Sequence, residues 1–103
     1  INCPAVLSNQ LLRSSTSVGA NIHEANYAQS RADFIAKFTA LKECYESEYW
    51  LLVFKKSEII SSGTADALTV QCGHIRRILI ASLNTAKSPG TGSVGEEELT
   101  YRA

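Results

Sequence analysis

Residues 32–56, ADFIAKFTALKECYESEYWLLVFKK, decide the fold class. Phe34, Phe38, Leu41, Tyr45, Tyr49 and Leu52 recur every three or four positions, and Ile59 extends the same line. That is the period of one face of an α-helix, not the alternation of a strand. Trp50, Leu51 and Val53 broaden the face toward its end. Ser30 followed by Asp33 resembles a capping box, with Asp shorter than the preferred Glu or Gln, so the spacing predicts a helix from about Ala32 to Lys56.

The segment before it has the same character. Leu7, Leu11, Val18, Ile22 and Ala25 form an amphipathic progression, with Ser14 and Ser15 bridging the step between, and Pro4 suits its first turn, where a missing N–H costs nothing. Its interior is a poor helix former. Ser14, Ser15, Thr16, Ser17 and Gly19 follow closely, and one glycine alone costs about 1 kcal/mol relative to alanine. Close packing of small residues against a neighbour is the simplest force that would hold it.

After residue 56, Ser61-Ser62-Gly63 reads as a turn, with glycine as the left-handed residue that ends a helix. Thr64 or Asp66 then caps a third helix whose face is Leu68, Cys72, Ile75, Leu79, Leu83 and Ala86, widened by Ile78 and Ile80. Pro89-Gly90 stops it. Short connections between long helices favour antiparallel neighbours, so the expected fold is all-α, an antiparallel up-down helical bundle. Residues 1–87 form the helical domain, and 88–103, rich in Gly, Ser and acidic residues, read as a flexible tail.

The 103 residues contain ten basic and ten acidic side chains, so net charge gives no nucleic-acid signal. Residues 1–87 hold nine Lys/Arg against seven Asp/Glu, and 88–103 hold one against three, which leaves the helical part weakly basic. Three widely spaced cysteines, Cys3, Cys44 and Cys72, do not form a disulfide framework and point to reduced thiols in the cytoplasm. No apolar run approaches the roughly 18 residues of a membrane span. The chain has no methionine, not even at position 1, which suggests that it starts at an internal point or was processed.

Chemistry is sparse. Neither His23 nor His74 has the Glu three residues earlier that di-iron bundles use, so no metal or other cofactor is expected. Glu43 and Glu48 near Cys44 would raise its thiol pKa, opposite to what a nucleophile needs. No phosphate-binding glycine motif occurs. The chain is therefore expected not to be an enzyme.

Two sets of polar residues remain. Arg13, Ser17, Asn21 and Glu24 form a line along the first helix. It is either a solvated face or a seam against the long helix, with Tyr45, Glu48 or Tyr49 as partners. Arg31, Lys37, Lys55, Lys56, Arg76 and Arg77 are candidate phosphate contacts, although each also fits an ordinary solvated or snorkelling side chain.

Several stretches resemble one bacterial family. Gln10-Leu11-Leu12-Arg13-Ser14, Thr16-Ser17-Val18-Gly19-Ala20-Asn21-Ile22 and Glu24-Ala25 are similar to the signature helix of the proteins encoded within intervening sequences of 23S ribosomal RNA genes. Gln29-Ser30, Asp33-Phe34-Ile35, Lys37, Ala40-Leu41-Lys42-Glu43 and Tyr49-Trp50-Leu51 look like that family's next helix. The resemblance covers about residues 6–87. It implies a four-helix bundle related to the accessory variability determinant of diversity-generating retroelements, a homopentamer with a basic surface that engages a reverse transcriptase and nucleic acid. It also implies a homo-oligomer associated with RNA or RNA-handling machinery, or alternatively an adaptor that docks such an enzyme without touching RNA. Arg13, Asn21 and Glu24 match the motif and carry over as structural or interaction residues. The family has a helix before the one starting near Leu7, so the bundle's first helix is expected to be missing from this chain, leaving an apolar groove.

Overall fold

A computed structural model describes residues 3–86. They form three α-helices, α1 (Ala5–Ala25), α2 (Ser30–Lys56) and α3 (Ser62–Ala86), and no strand. The predicted stop at Pro89-Gly90 and the tail lie outside the described residues. Short turns make successive helices antiparallel. α2 is the middle element, with α1 and α3 packed along its two flanks and touching one another far less.

That placement changes which residues of α2 form its core face. A single line through Phe34, Tyr45, Tyr49 and Leu52 was expected. The buried residues are instead Ala36, Ala40, Leu41, Cys44, Ser47, Leu51 and Phe54, while Tyr49 and Leu52 are about half exposed. A helix held from two sides buries two flanks, and small side chains between them let both neighbours approach. Val18 of α1, Ala40, Leu41 and Cys44 of α2, and Leu79, Ile80 and Leu83 of α3 form the shared core, with Phe34 and Phe38 packed beside it. In α3, Ile78 points outward and Leu68 is partly exposed.

In the serine-rich interior of α1 the expected close packing is made by Ser14 alone, whereas Ser15, Thr16 and Gly19 are exposed. Ser14 is fully buried, and its hydroxyl accepts a 2.8 Å hydrogen bond from Ser47 Oγ of α2. Ser14 itself donates to the Leu11 carbonyl at 3.2 Å. Two serines facing each other bring the backbones close and satisfy their own polar atoms, as burial demands. Ser15 and Thr16 return their hydroxyls to the Leu12 carbonyl.

The helix ends differ from the expected motifs. α2 begins at Ser30 with Gln29 as its N-cap and no side-chain cap, and the Asp33 carboxylate pairs with Lys37 at 3.3 Å instead of closing a capping box. α3 is capped by Ser61, whose Oγ accepts the Thr64 N–H at 3.1 Å. Gly63 lies inside the first turn of α3 and is not left-handed. The left-handed position is Glu58, at φ 59°. Ile59 N–H donates to the Phe54 carbonyl at 2.9 Å and Glu58 N–H to that of Lys55 at 3.1 Å, the two bonds of a Schellman motif. The sequence offers no glycine there, so the turn is made by a residue with a Cβ.

Two stability changes follow from these contacts. Replacing Glu58 with Gly relieves the left-handed strain and raises stability by about 1 kcal/mol. Ser14→Leu forces a large side chain into the α1–α2 contact and lowers it by about 1–3 kcal/mol. Urea denaturation followed by circular dichroism measures both.

Candidate functional site

The polar line on α1 is divided by the fold. Arg13 faces α2, where Nη1 donates to Glu43 Oε1 at 3.4 Å and Nη2 pairs with Glu46. Glu46 also accepts the Trp50 indole N–H at 3.1 Å. The Trp50 donor, followed by Arg13, holds the Glu46 carboxyl below the usual range, and Glu46 in turn raises Arg13. Asn21 bonds within α1, donating to the Ser17 carbonyl at 2.9 Å and to Ser17 Oγ at 3.2 Å. Glu24 is exposed in the last turn of α1.

Of the partners anticipated for this line, Glu48 and Tyr45 serve α3. Arg76 Nε donates to Glu48 Oε2 at 2.8 Å and Nη2 to Oε1 at 3.4 Å, while the guanidinium lies 5.2 Å from the centre of the Tyr45 ring. Such a fork on a carboxylate, stacked on an aromatic face, is a geometry lysine does not reproduce. Glu48 holds the Arg76 pKa up. A side chain at Gly73 would meet Arg76 Nη2 at 3.3 Å and Arg77 Nη1 at 3.4 Å, so this glycine gives the two arginines their room. Sequence reading missed Glu43 and Glu46 as the partners of Arg13, and Trp50 as the donor to Glu46. Their one signal is the spacing 43, 46, 50 beside small Ser47, which sets three polar groups along one flank of α2.

The remaining cations fall into two groups. Lys37 pairs with Asp33 and Lys55 with Asp66, the latter at 2.8 Å. Arg31, Lys56 and Arg77 are exposed and make no ion pair among the described residues, and Lys42 behaves likewise.

Cys44 is buried, and that burial pushes its thiol up to about 12, with Cys72 and Glu48 adding to the effect. Burial also raises Cys72. Neither thiol is activated as a nucleophile. Among the described residues no group of three or more His, Cys, Asp or Glu is placed to hold a metal ion, and no helix is long and apolar enough to cross a membrane. The described surface has several depressions, one of them, of about 490 Å³, beside Ser30, Arg31, Phe34 and Ile35. A groove of about 250 Å³ between α1 and α3 is lined by Ile22, Ala25, Ile75, Ile78 and Leu79, with Asn26, Lys37 and Ser82 at its edge. Another, of about 360 Å³, lies between α2 and α3 beside Tyr45, Tyr49 and Leu52.

The sequence profile of 23S rRNA-intervening sequence proteins matches residues 4–81, which span all of α1 and α2 and most of α3. The chain belongs to this family. The intervening-sequence protein is similar to a crystal structure from Bacteroides thetaiotaomicron, a protein of unknown function from the S23 ribosomal protein family. The two are 42% identical, the match covers 78% of this chain and 75% of the other, and the TM-score is 0.74. No curated protein matches it. Family membership places Arg13 and Asn21 in a matched helix whose polar groups bond within the fold.

The clamp on Glu46 generates a pH effect. A carboxyl held below its ordinary pKa adds stability above that ordinary value and loses it as pH falls through the folded one. Trp50→Phe removes the foremost cause and should move the Glu46 titration midpoint upward, toward the usual carboxylate range. Carboxyl-carbon NMR titration of both proteins checks the direction.

Proposed function

We propose that this intervening-sequence protein is a non-catalytic, oligomeric helical-bundle protein that works in the cytoplasm on RNA or with RNA-handling machinery. The observation that carries the reading is how its polar groups are used. Arg13, Glu43, Glu46 and Trp50 on one flank of α2, and Glu48 and Arg76 on the other, are engaged in contacts between or within the helices, while the outer surface offers apolar area and unpaired cations. Groups committed to one another serve packing and register; exposed cations and apolar faces serve association. The three free cysteines suit a reducing compartment.

The apolar groove between α1 and α3 supports the oligomer. Ile78 is 55% exposed beside Ile22, Ile75 and Leu79, and a helix from a further subunit laid there would complete a four-helix packing. The family resemblance implies five subunits. The same groove favours the adaptor as a second reading, in which the assembled protein docks an RNA-processing enzyme and does not touch RNA itself.

Light scattering on the purified chain should give a mass several times 11.2 kDa, and Ile78→Glu should shift it to the monomer. A wild-type monomer overturns the oligomer. Labelled RNA titrated at low and moderate salt should bind more weakly as salt rises. Absence of binding at both salts, with a purified enzyme partner still co-eluting after nuclease treatment, favours the adaptor.

A further inference from the structure

The net charge of zero conceals an uneven distribution of charge that is not neutralised locally. Glu43 and Glu46 are paired with Arg13, Glu48 with Arg76, Asp66 with Lys55 and Asp33 with Lys37. The carboxylates left over among the described residues are Glu24, in the last turn of α1, and Glu58, in the α2–α3 turn. The cations left over are Arg31, Lys42 and Lys56 on α2 and Arg77 on α3.

The three on α2 share one line. At 3.6 residues per turn, Lys42, Tyr49 and Lys56 each follow the last by seven residues, about two turns and roughly 10 Å along the axis. Ile35 stands two turns before Lys42, and Arg31 one turn before that. This line is opposite Ala36, Ala40, Ser47 and Leu51, four of the residues that α2 buries, and it is exposed at Arg31, Ile35, Lys42, Tyr49 and Lys56, with Tyr49 also bordering the depression between α2 and α3. Tyr49 is 57% exposed, and its ring meets the Trp50 ring edge-on at 5.1 Å, which restricts its orientation.

We infer that the outward face of α2 is a track for single-stranded RNA, with Arg31, Lys42 and Lys56 contacting phosphates and Tyr49 receiving a base between the two lysines. The inference rests on the RNA reading above and adds where the strand lies and what form it takes. Unpaired cations on one line complement a polyanion in spite of the net charge of zero, since Glu43, Glu46 and Glu48 of α2 are turned to Arg13 and Arg76 and only Glu58, near Lys56, is an unpaired carboxylate beside the line. An exposed aromatic ring between cations is the arrangement that binds an unpaired strand, because a base offers its flat face only when unstacked. A duplex would use the cations and leave Tyr49 idle.

The test uses the full chain and a fluorescein-labelled 12-nucleotide single-stranded RNA, with anisotropy read at several salt concentrations. Arg31→Gln/Lys42→Gln/Lys56→Gln should lose at least tenfold in affinity, and the slope of log K against log salt should flatten by about 2. Tyr49→Ala should weaken single-strand binding about tenfold and leave duplex binding unchanged. Lys37→Gln and Lys55→Gln, which remove cations already paired, should change little. Circular dichroism melts and light scattering confirm that each variant keeps its fold and subunit number.

Salt-sensitive binding by the wild type that survives the triple substitution overturns the track and leaves the RNA reading standing. Equal loss on duplex and single strand in Tyr49→Ala overturns the single-strand assignment. No RNA binding by the wild type overturns both. Dissociation of the oligomer by the triple substitution overturns the track by making this face a contact between copies.

Discussion

The grip on α2 from both sides is the constraint from which the rest of the structure follows. On the α1 flank, Ser14 and Ser47 meet hydroxyl to hydroxyl, with the Arg13–Glu43–Glu46 cluster beside them. On the α3 flank, Leu41 and Cys44 join Leu79, Ile80 and Leu83 in the shared core, with Arg76 on Glu48 and Tyr45 nearby. Each flank thus combines a tight contact among apolar or small residues with a guanidinium–carboxylate pair. The packed contacts supply the stability. Ion pairs this exposed contribute little to it and serve mainly to select register, because a slip by one residue breaks the fork.

This division also decides which polar groups are left to meet solvent. The polar groups at the helix contacts are engaged with one another. The Glu46 carboxylate is already shared between an indole and a guanidinium, and Arg76 already holds a carboxylate and an aromatic face. Burial keeps Cys44 protonated. What such a molecule presents to solvent is a set of faces, and faces recognise partners. The apolar groove between α1 and α3 and the cationic line on α2 are different surfaces.

Much of the fold was legible in the residues themselves. The three helical segments follow from the recurrence of apolar side chains, and the close neighbour expected for the Ser14–Gly19 stretch is met at Ser14, by Ser47. The resemblance of the Gln10–Ser14 and Thr16–Ile22 stretches to one family also agrees with the profile match over residues 4–81. The candidate residues were less legible. Helical spacing groups Arg13, Ser17, Asn21 and Glu24 along one side of α1, but it carries no information about what α2 places opposite. Hence Glu48 was considered for Arg13, whereas the fold gives it to Arg76 from the other flank. Lys55 and Lys56 are neighbours in sequence and differ in fate, one paired with Asp66 and one free, because adjacent helical positions point about 100° apart.

Sequence alone determined that this protein is built of helices and belongs to the intervening-sequence family, since periodicity and local motifs are properties of neighbouring residues along one chain. Tertiary structure decided which helix stands in the middle, which flank of α2 each partner takes, and therefore which charges cancel. Cancellation depends on distances of a few ångströms between residues some thirty positions apart, such as Arg13 and Glu46, and no spacing rule along the chain encodes them.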